Sequence, residues 1–211
     1  MINILVADDH AVVRRGVREI LDEADGLQVG GEASTVKEVV QLVRSEDFDV
    51  IVLDIKMPDG SGLDALKQIR QLKPATKVCI LSIYPEQQYA IRAFRSGASG
   101  YLTKESAADE LLEAIHRIAA GGKYVSRTLA ITLADELTRE TPAELHELLS
   151  DREYQVLCAI AEGKPVKQIA ENYSLSVKTV STYRSRMMNK MGFKSTAEVI
   201  RYAVEKGLAQ G

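Results

Sequence analysis

Apolar residues in the first half of the chain cluster in short runs, separated by longer stretches with helical periodicity. The runs are Ile2–Ala7, Val50–Leu53, residues 78–81 and Gly100–Thr103. Runs that are this short and mostly apolar predict buried strands, and the amphipathic stretches between them predict crossover helices. This alternation is typical of an α/β fold with a parallel, doubly wound sheet.

Polar side chains stand close to the carboxyl ends of these runs. They are Asp8, Asp9, Asp54, Ser82 and Lys104. Because parallel strands end at one edge of a sheet, we expect the five side chains to converge there. Three carboxylates in a partly dry pocket need a nearby cation to stay ionised. Hard oxygen ligands favour Mg²⁺, so the sequence predicts a magnesium site.

Asp54 has the surroundings expected of a phosphoryl acceptor. Mg²⁺, Lys104 and the Ser82 hydroxyl would lie beside it, and phosphoryl transfer needs positioning and charge neutralisation more than covalent chemistry. The loop that follows, Met57-Pro58-Asp59-Gly60-Ser61-Gly62, leaves the face of Asp54 open. We interpret His10, beside the acid pair, as a capping or packing residue at the start of a helix.

This order of residues resembles the receiver domain of two-component response regulators. The resemblance implies a flavodoxin-like, doubly wound sheet of five parallel strands. It also implies a sensor histidine kinase as partner and Asp54 as the phosphoacceptor. The implied holders of Mg²⁺ are Asp9, Asp54 and the backbone carbonyl of Lys56, with Asp8 nearby. Lys104 would bind the phosphoryl oxygens, and Ser82 and Tyr101 would form a switch pair in which Tyr101 turns inward.

The last sixty residues show a pattern of short helices. Ser150-Asp151-Arg152-Glu153 is a capping box that predicts a helix, and Gly163 ends it. A second helix is predicted after Pro165, then a polar turn over residues 172–176, then a third helix over Val177–Met191. This order describes a helix-turn-helix whose last helix enters the major groove of DNA.

The third of these helices has an apolar stripe and a polar face. Val180, Met187 and Met191 recur at helical spacing and are expected to point inward. The residues left outside are Lys178, Ser181, Thr182, Ser185, Arg186 and Asn189. Residues 163–206 hold 9 Lys and Arg against 3 Asp and Glu, whereas residues 1–125 hold 15 against 19. A basic tail on an acidic domain indicates a polyanionic partner.

Residues 149–208 resemble the four-helix DNA-binding domain of the LuxR/FixJ type. The resemblance is carried by Leu149-Ser150-Asp151-Arg152-Glu153, Ile169-Ala170, Leu175-Ser176-Val177-Lys178-Thr179-Val180 and Lys190-Met191-Gly192. A receiver followed by this tail defines the NarL/FixJ family, and residues 178–183 are similar to the BvgA/EvgA subgroup. The implied domains are a receiver over residues 1–121, a linker with a short helix over 122–148, and a small all-α helix-turn-helix domain over 149–211.

The same resemblance implies how the third helix meets double-stranded promoter DNA. The implied base-reading residues are Ser181, Thr182 and Ser185, and those implied to contact the DNA backbone are Lys178, Thr179, Arg186 and Lys190. Two phosphorylated chains are expected to pair, so that their third helices meet half-sites about one helical turn apart.

Length and composition agree with two domains that fold in the cytoplasm. The chain has 211 residues, 45% of them hydrophobic, which is enough for two cores. Cys79 and Cys158 stand in separate apolar stretches and predict buried thiols in a reducing compartment. Met1 leads directly into a strand, and no apolar run approaches the ~20 residues of a membrane span.

Three other functions stay open at this point. A ligand-controlled regulator would share only the DNA-binding tail, and the acid pair with Asp54 and Lys104 argues against it. A phosphatase would need a second acid two residues after Asp54, where the chain has Lys56. A regulator that binds DNA without being phosphorylated remains the main competitor, because an intact acidic pocket does not establish a kinase.

Overall fold

The chain forms two compact units, which we describe separately. The computed structural model describes residues 1–138 and 144–208. Contacts divide the chain into Met1–Leu137 and Thr138–Gly211. Residues 139–143, part of the linker predicted over 122–148, lie outside the described residues. Among the described residues, no helix is both long enough and apolar enough to cross a bilayer.

The first unit is built on a five-stranded parallel sheet. Its strands are β1 Ile2–Ala7, β2 Leu27–Ala33, β3 Val50–Leu53, β6 Lys77–Ser82 and β7 Gly100–Thr103. The two short strands between β3 and β6, β4 Lys56–Met57 and β5 Gly60–Ser61, lie outside this sheet. The strands of the sheet lie in the order β2-β1-β3-β6-β7, and every adjacent pair is parallel. The strand order reverses between β1 and β3, where doubly wound sheets bind their ligands. The predicted flavodoxin-like fold is confirmed.

Strand β2 is the strand that the apolar runs did not reveal. Its sequence, LQVGGEA, alternates between buried and more exposed positions. It pairs only with β1 among the described strands and therefore forms an edge of the sheet. An edge strand is covered less completely than a central one, so its sequence keeps polar residues and loses the continuous apolar run.

Helices follow the strands along this first unit. They are α1 Ala11–Asp22, α2 Val36–Ser45, α3 Gly62–Leu72, α4 Glu86–Arg95 and α5 Ala107–Ala119. One core cluster packs Val17 of α1 and Leu111 of α5 against Val6, Val52 and Leu81 of the sheet. Cys79 belongs to this cluster, and burial raises the pKa of its thiol to about 12, so the predicted buried thiol is confirmed.

A sixth helix, α6 Arg127–Thr138, follows the sheet. It lies within the linker predicted over residues 122–148, and the contacts group it with the first unit, which ends at Leu137. The Ser126 hydroxyl accepts a hydrogen bond from the N–H of Leu129 and also contacts the carboxylate of Glu86 in α4. The start of α6 is therefore tied to the first turn of α4.

The second unit consists of short helices. After a 3₁₀ turn at Leu145–Leu148 come α7 Asp151–Ala161, α8 Val166–Asn172, α9 Val177–Met191 and α10 Thr196–Glu205. The predicted capping box is present, because Ser150 and Glu153 each accept from the other's backbone N–H. Gly192 ends α9 with φ of 71°, a left-handed conformation that glycine adopts without strain. The predicted bounds of α9 agree with the structure.

Candidate functional site

The five polar residues predicted at the strand ends meet at the carboxyl edge of the sheet. Lys104 Nζ lies 2.6 Å from Asp8 Oδ2 and 2.7 Å from Asp54 Oδ2. The backbone N–H of Lys104 donates to the carbonyl of Ser82 at 2.8 Å, which holds the ends of β6 and β7 together. Asp9 follows Asp8 and belongs to the same acidic cluster. The edge thus brings together side chains that are up to 96 positions apart in the sequence.

Burial makes this cluster electrostatically strained. Asp8 is 2% exposed and Asp54 only 1%. Burial raises the pKa of Asp54 to about 6, against the attraction of Lys104, and the neighbouring Asp8 charge raises it further. The two carboxylates also raise the pKa of Lys104 above its usual value, although burial opposes this. One lysine therefore does not fully compensate the two buried acids.

The acidic cluster has the composition and spacing of a metal site. Ligand atoms of Asp8, Asp9, His10 and Asp54 all lie within 4.8 Å of one another. Asp8 Oδ2 and Asp9 Oδ1 are buried. Lys104 Nζ lies 2.6 Å from Asp8 Oδ2, and His10 Nδ1 lies 2.6 Å from Asp9 Oδ1. Buried carboxylate oxygens of this kind suit a hard divalent cation. The residues present therefore fit a metal ion.

The loop after β3 sets the position of the Asp54 carboxylate. The N–H of Lys56 donates to Asp54 Oδ1 at 3.2 Å. Lys56–Met57 and Gly60–Ser61 form a two-stranded antiparallel ribbon, β4 and β5. Asp59 extends from this loop to the start of α2 and accepts from the N–H groups of Val36 and Lys37. A hydrogen bond from the backbone thus holds the Asp54 carboxylate, and hydrogen bonds from the start of α2 to Asp59 hold the loop that follows it.

Gly62 is a residue of this site that sequence reasoning did not single out. A Cβ built on Gly62 would lie 1.9 Å from the backbone oxygen of Asp54, and the Gly62 N–H donates to the Ile55 carbonyl at 2.8 Å. The chain must return this closely to place the start of α3 beside Asp54. The motif contained the glycine, but only the three-dimensional contact shows why no larger side chain fits.

Ser82 and Tyr101 meet through the backbone of Tyr84. The Tyr84 N–H donates to Ser82 Oγ at 3.3 Å, and the Tyr101 hydroxyl donates to the Tyr84 carbonyl at 2.8 Å. Tyr101 is fully buried, and burial raises the pKa of its phenol. The inward orientation that the sequence led us to expect after a movement of Ser82 is therefore the one this structure has.

The exposed face of α9 carries most of the residues predicted to contact DNA. Lys178, Ser181, Thr182, Ser185, Arg186 and Lys190 are exposed and Thr179 is half-buried, whereas Val180, Met187 and Met191 are buried as predicted. Ser181 Oγ donates to the Val177 carbonyl at 2.9 Å and Thr182 Oγ1 to the Lys178 carbonyl at 3.0 Å. Each of these hydroxyls therefore presents lone pairs outward.

Two residues in that set are already engaged inside the unit. Thr179 contacts Ser176 through both hydroxyls at 2.7 Å, and the Thr179 N–H donates to Ser176 Oγ at 3.0 Å. Lys190 Nζ lies 2.6 Å from Glu153 Oε2 in the capping box of α7. Their contribution to an outer surface is accordingly smaller than that of Lys178 or Arg186.

Comparison with known proteins accounts for both units. The first matches the family "response regulator receiver domain" over residues 4–116, and the second matches "bacterial regulatory proteins, luxR family" over residues 147–203. The response regulator UvrY of Escherichia coli strain K12 is 34% identical over 209 residues, which span 99% of this chain and 96% of UvrY. The chain belongs to the response regulator family.

Two further relatives extend the comparison of this response regulator. The response regulator GacA of Pseudomonas aeruginosa is 35% identical over 99% of this chain and 98% of its own. The structure of RcsB from Salmonella enterica serovar Typhimurium bound to promoter rprA in the presence of the phosphomimetic BeF₃⁻ has a TM-score of 0.64 and 25% identity. The alignment covers 97% of this chain and 99% of RcsB. The family consists of transcription regulators and not of enzymes.

Proposed function

We propose that this response regulator is switched by phosphorylation of Asp54 and that its output is binding to promoter DNA. The observation that carries the proposal is the contact between Lys104 Nζ and Asp54 Oδ2 at 2.7 Å inside a buried acidic cluster. A phosphoryl group on Asp54 would take over the lysine as a partner, because phosphate oxygens form charge-assisted bonds with ammonium groups. A sensor histidine kinase would supply the phosphoryl group.

Mg²⁺ is the proposed metal of the acidic cluster. Asp9, Asp54 and the backbone carbonyl of Lys56 would hold it, with Asp8 beside them. The ion would supply the positive charge that phosphoryl transfer to a carboxylate requires. The residues themselves orient the acceptor: the Lys56 N–H holds Asp54 Oδ1, and Lys104 holds Asp54 Oδ2.

Ser82 and Tyr101 are the proposed switch pair. Ser82 Oγ accepts from the Tyr84 N–H, so a movement of the hydroxyl toward phosphoryl oxygens would release that bond. Tyr84 also accepts the Tyr101 hydroxyl and stands two residues before α4. Since Tyr101 is already inward, the proposed change lies mainly in the segment from Ser82 to α4. If the receiver has an active and a resting conformation, shifting their ratio from 1:99 to 99:1 would take about 5.5 kcal/mol.

The proposed DNA surface is the exposed face of α9. Lys178 and Arg186 would neutralise phosphates, and Ser181, Thr182 and Ser185 would lie against base edges. Two chains would pair after phosphorylation and place their α9 helices on half-sites about one helical turn apart. Promoter DNA and the kinase domain that would donate the phosphoryl group are both found in the cytoplasm. The regulator would therefore act there.

The test is phosphorylation and DNA binding measured on the same samples. Wild type and Asp54→Ala are incubated with a small phosphodonor and Mg²⁺, then analysed by intact mass and by titration with promoter DNA. We expect only wild type to gain one phosphoryl mass and to bind DNA more tightly. No added mass, or added mass without a change in DNA affinity, would favour the competing regulator that binds DNA without phosphorylation.

A further inference from the structure

His10 stands at the acidic cluster in a position that the sequence interpretation did not assign to metal binding. His10 Nδ1 lies 2.6 Å from Asp9 Oδ1 and 3.3 Å from Asp8 Oδ1. The backbone N–H of His10 donates to Asp8 Oδ1 at 2.8 Å, so the residue is held at the cluster by its main chain. Its side chain is 55% exposed and lies at the open side of the site. Its imidazole forms no side-chain cap on α1.

The spacing of these atoms matches donors that share one ion. Nitrogen and oxygen ligands of a transition metal lie about 2.0–2.2 Å from it. Two donors at right angles are then about 3 Å apart, and two opposite donors are about 4.2 Å apart. The distances of 2.6 and 3.3 Å from His10 Nδ1 to the two carboxylates are close to the right-angle value. The four ligand atoms all lie within 4.8 Å of one another, which leaves room for two donors on opposite sides of one ion.

The donor set would change which ions the site prefers. Carboxylate oxygens alone favour Mg²⁺, whereas an imidazole nitrogen adds affinity for borderline ions such as Co²⁺, Ni²⁺ and Zn²⁺. We propose that His10 is a ligand that makes the receiver site bind divalent transition-metal ions more tightly than Mg²⁺. This inference rests on the metal site of the proposed function and adds the residue that sets its selectivity.

A second role for the same contact predicts a different result. If the imidazole only donates a hydrogen bond to Asp9, it orients a carboxylate that serves every ion equally. Loss of the ring would then weaken Mg²⁺ and Co²⁺ binding by the same factor. If the ring is a ligand, its loss should weaken Co²⁺ binding and leave Mg²⁺ binding nearly unchanged, since Mg²⁺ prefers oxygen.

The experiment compares wild type, His10→Ala and His116→Ala as full-length proteins without a histidine tag. His116 is an exposed histidine of α5 and controls for adventitious imidazole binding. Co²⁺ and Mg²⁺ affinities are measured separately by titration calorimetry at about pH 8, where free imidazole is neutral. Visible absorption of the Co²⁺ complex reports whether nitrogen is bound.

We expect wild type and His116→Ala to bind Co²⁺ more tightly than Mg²⁺. His10→Ala should lose at least about tenfold in Co²⁺ affinity, the lower end of what changes around a metal ligand produce. Its Co²⁺ absorption should shift, and its Mg²⁺ affinity should change by less than about threefold. Equal losses for both ions, or no loss for either, would overturn the proposal.

Phosphorylation in Mg²⁺ is measured on the same three proteins by intact mass. His116→Ala should gain the phosphoryl group as wild type does, because His116 is an exposed residue of α5 and does not belong to the acidic cluster. If wild type fails to gain it while the Co²⁺ selectivity holds, the proposed function is wrong and the role of His10 stands. If wild type gains it and His10→Ala retains full Co²⁺ affinity, the proposed function stands and the role of His10 is wrong.

Discussion

Lys190 and Glu153 join the end of α9 to the start of α7 through a contact of 2.6 Å between Nζ and Oε2. Glu153 is 3% exposed and also accepts the Ser150 N–H at 2.8 Å. Burial alone would raise the pKa of Glu153, but the bonds from Lys190 and Ser150 outweigh it and hold that pKa below its usual value. The lysine at the end of α9 therefore stabilises the fold of the second unit.

Replacing Lys190 should accordingly affect stability more than DNA binding. Lys190→Met leaves the buried Glu153 carboxylate without its cation, and we expect a loss of about 1 kcal/mol in the free energy of unfolding of the second unit. Lys178→Met, on the exposed first turn of α9, should change stability by less than about 0.5 kcal/mol. Urea unfolding of both variants measures this, and equal losses would contradict the assigned role.

The same pair predicts a dependence of stability on pH. Because the folded pKa of Glu153 is lowered, its contribution is fully present above the unfolded value of 4.5 and is lost as the pH falls through the folded pKa. The difference in unfolding free energy between wild type and Glu153→Gln should be constant at neutral pH and shrink toward zero in acid. A difference that grows in acid would have the wrong sign.

Asp54 should destabilise the fold when no metal is present. Its raised pKa of about 6, against 3.8 in the unfolded chain, means that ionising it costs the folded state on the order of 2–3 kcal/mol. In buffer with a chelator, Asp54→Asn should therefore be more stable than wild type above pH 6, and the gain should disappear toward pH 4. Thermal unfolding across this range is the measurement. A less stable variant at neutral pH would refute the electrostatic account.

Gly62 should tolerate no side chain. Gly62→Ala places a Cβ 1.9 Å from the Asp54 backbone oxygen, so the acceptor loop must shift, and we expect phosphorylation by a small phosphodonor to fall at least about tenfold. Gly16→Ala is the matched control, because Gly16 lies within α1 with nothing within 4 Å of the added Cβ. That change should raise stability by about 0.5–1 kcal/mol and leave phosphorylation intact.

Lys178 and Thr182 should separate DNA affinity from sequence preference. Lys178→Ala removes a phosphate-neutralising charge and should weaken binding to promoter and random DNA alike, with a salt slope smaller by about one. Thr182 Oγ1 has its proton engaged by the Lys178 carbonyl, so it can only accept from base amino groups. Thr182→Val should therefore cost about 1–3 kcal/mol on the specific site alone. Equal losses on both DNAs would argue against base contact by Thr182.

Local pattern predicted much of the fold and the site. The strand cores, the α9 bounds and the Ser150 capping box follow from periodicity and capping rules that act over a few residues. The edge strand β2 was not predicted from apolar runs, because an edge strand is only partly covered by its neighbours and its sequence can keep polar residues. Gly62 and the Lys190 contact were also missed, because each depends on how the chain folds back onto a residue beyond the reach of local periodicity.

The sequence by itself determined which residues stand at the ends of the parallel strands, because alternation of apolar runs and amphipathic helices requires that edge. It thereby determined the acidic cluster, Lys104 and the family. Only the tertiary structure decided how the charges pair, since burial and distances of 2.6–2.7 Å make Lys104 a partner of both Asp8 and Asp54. It also placed the His10 imidazole against the carboxylates. Local periodicity carries no information on contacts that depend on how the chain folds back.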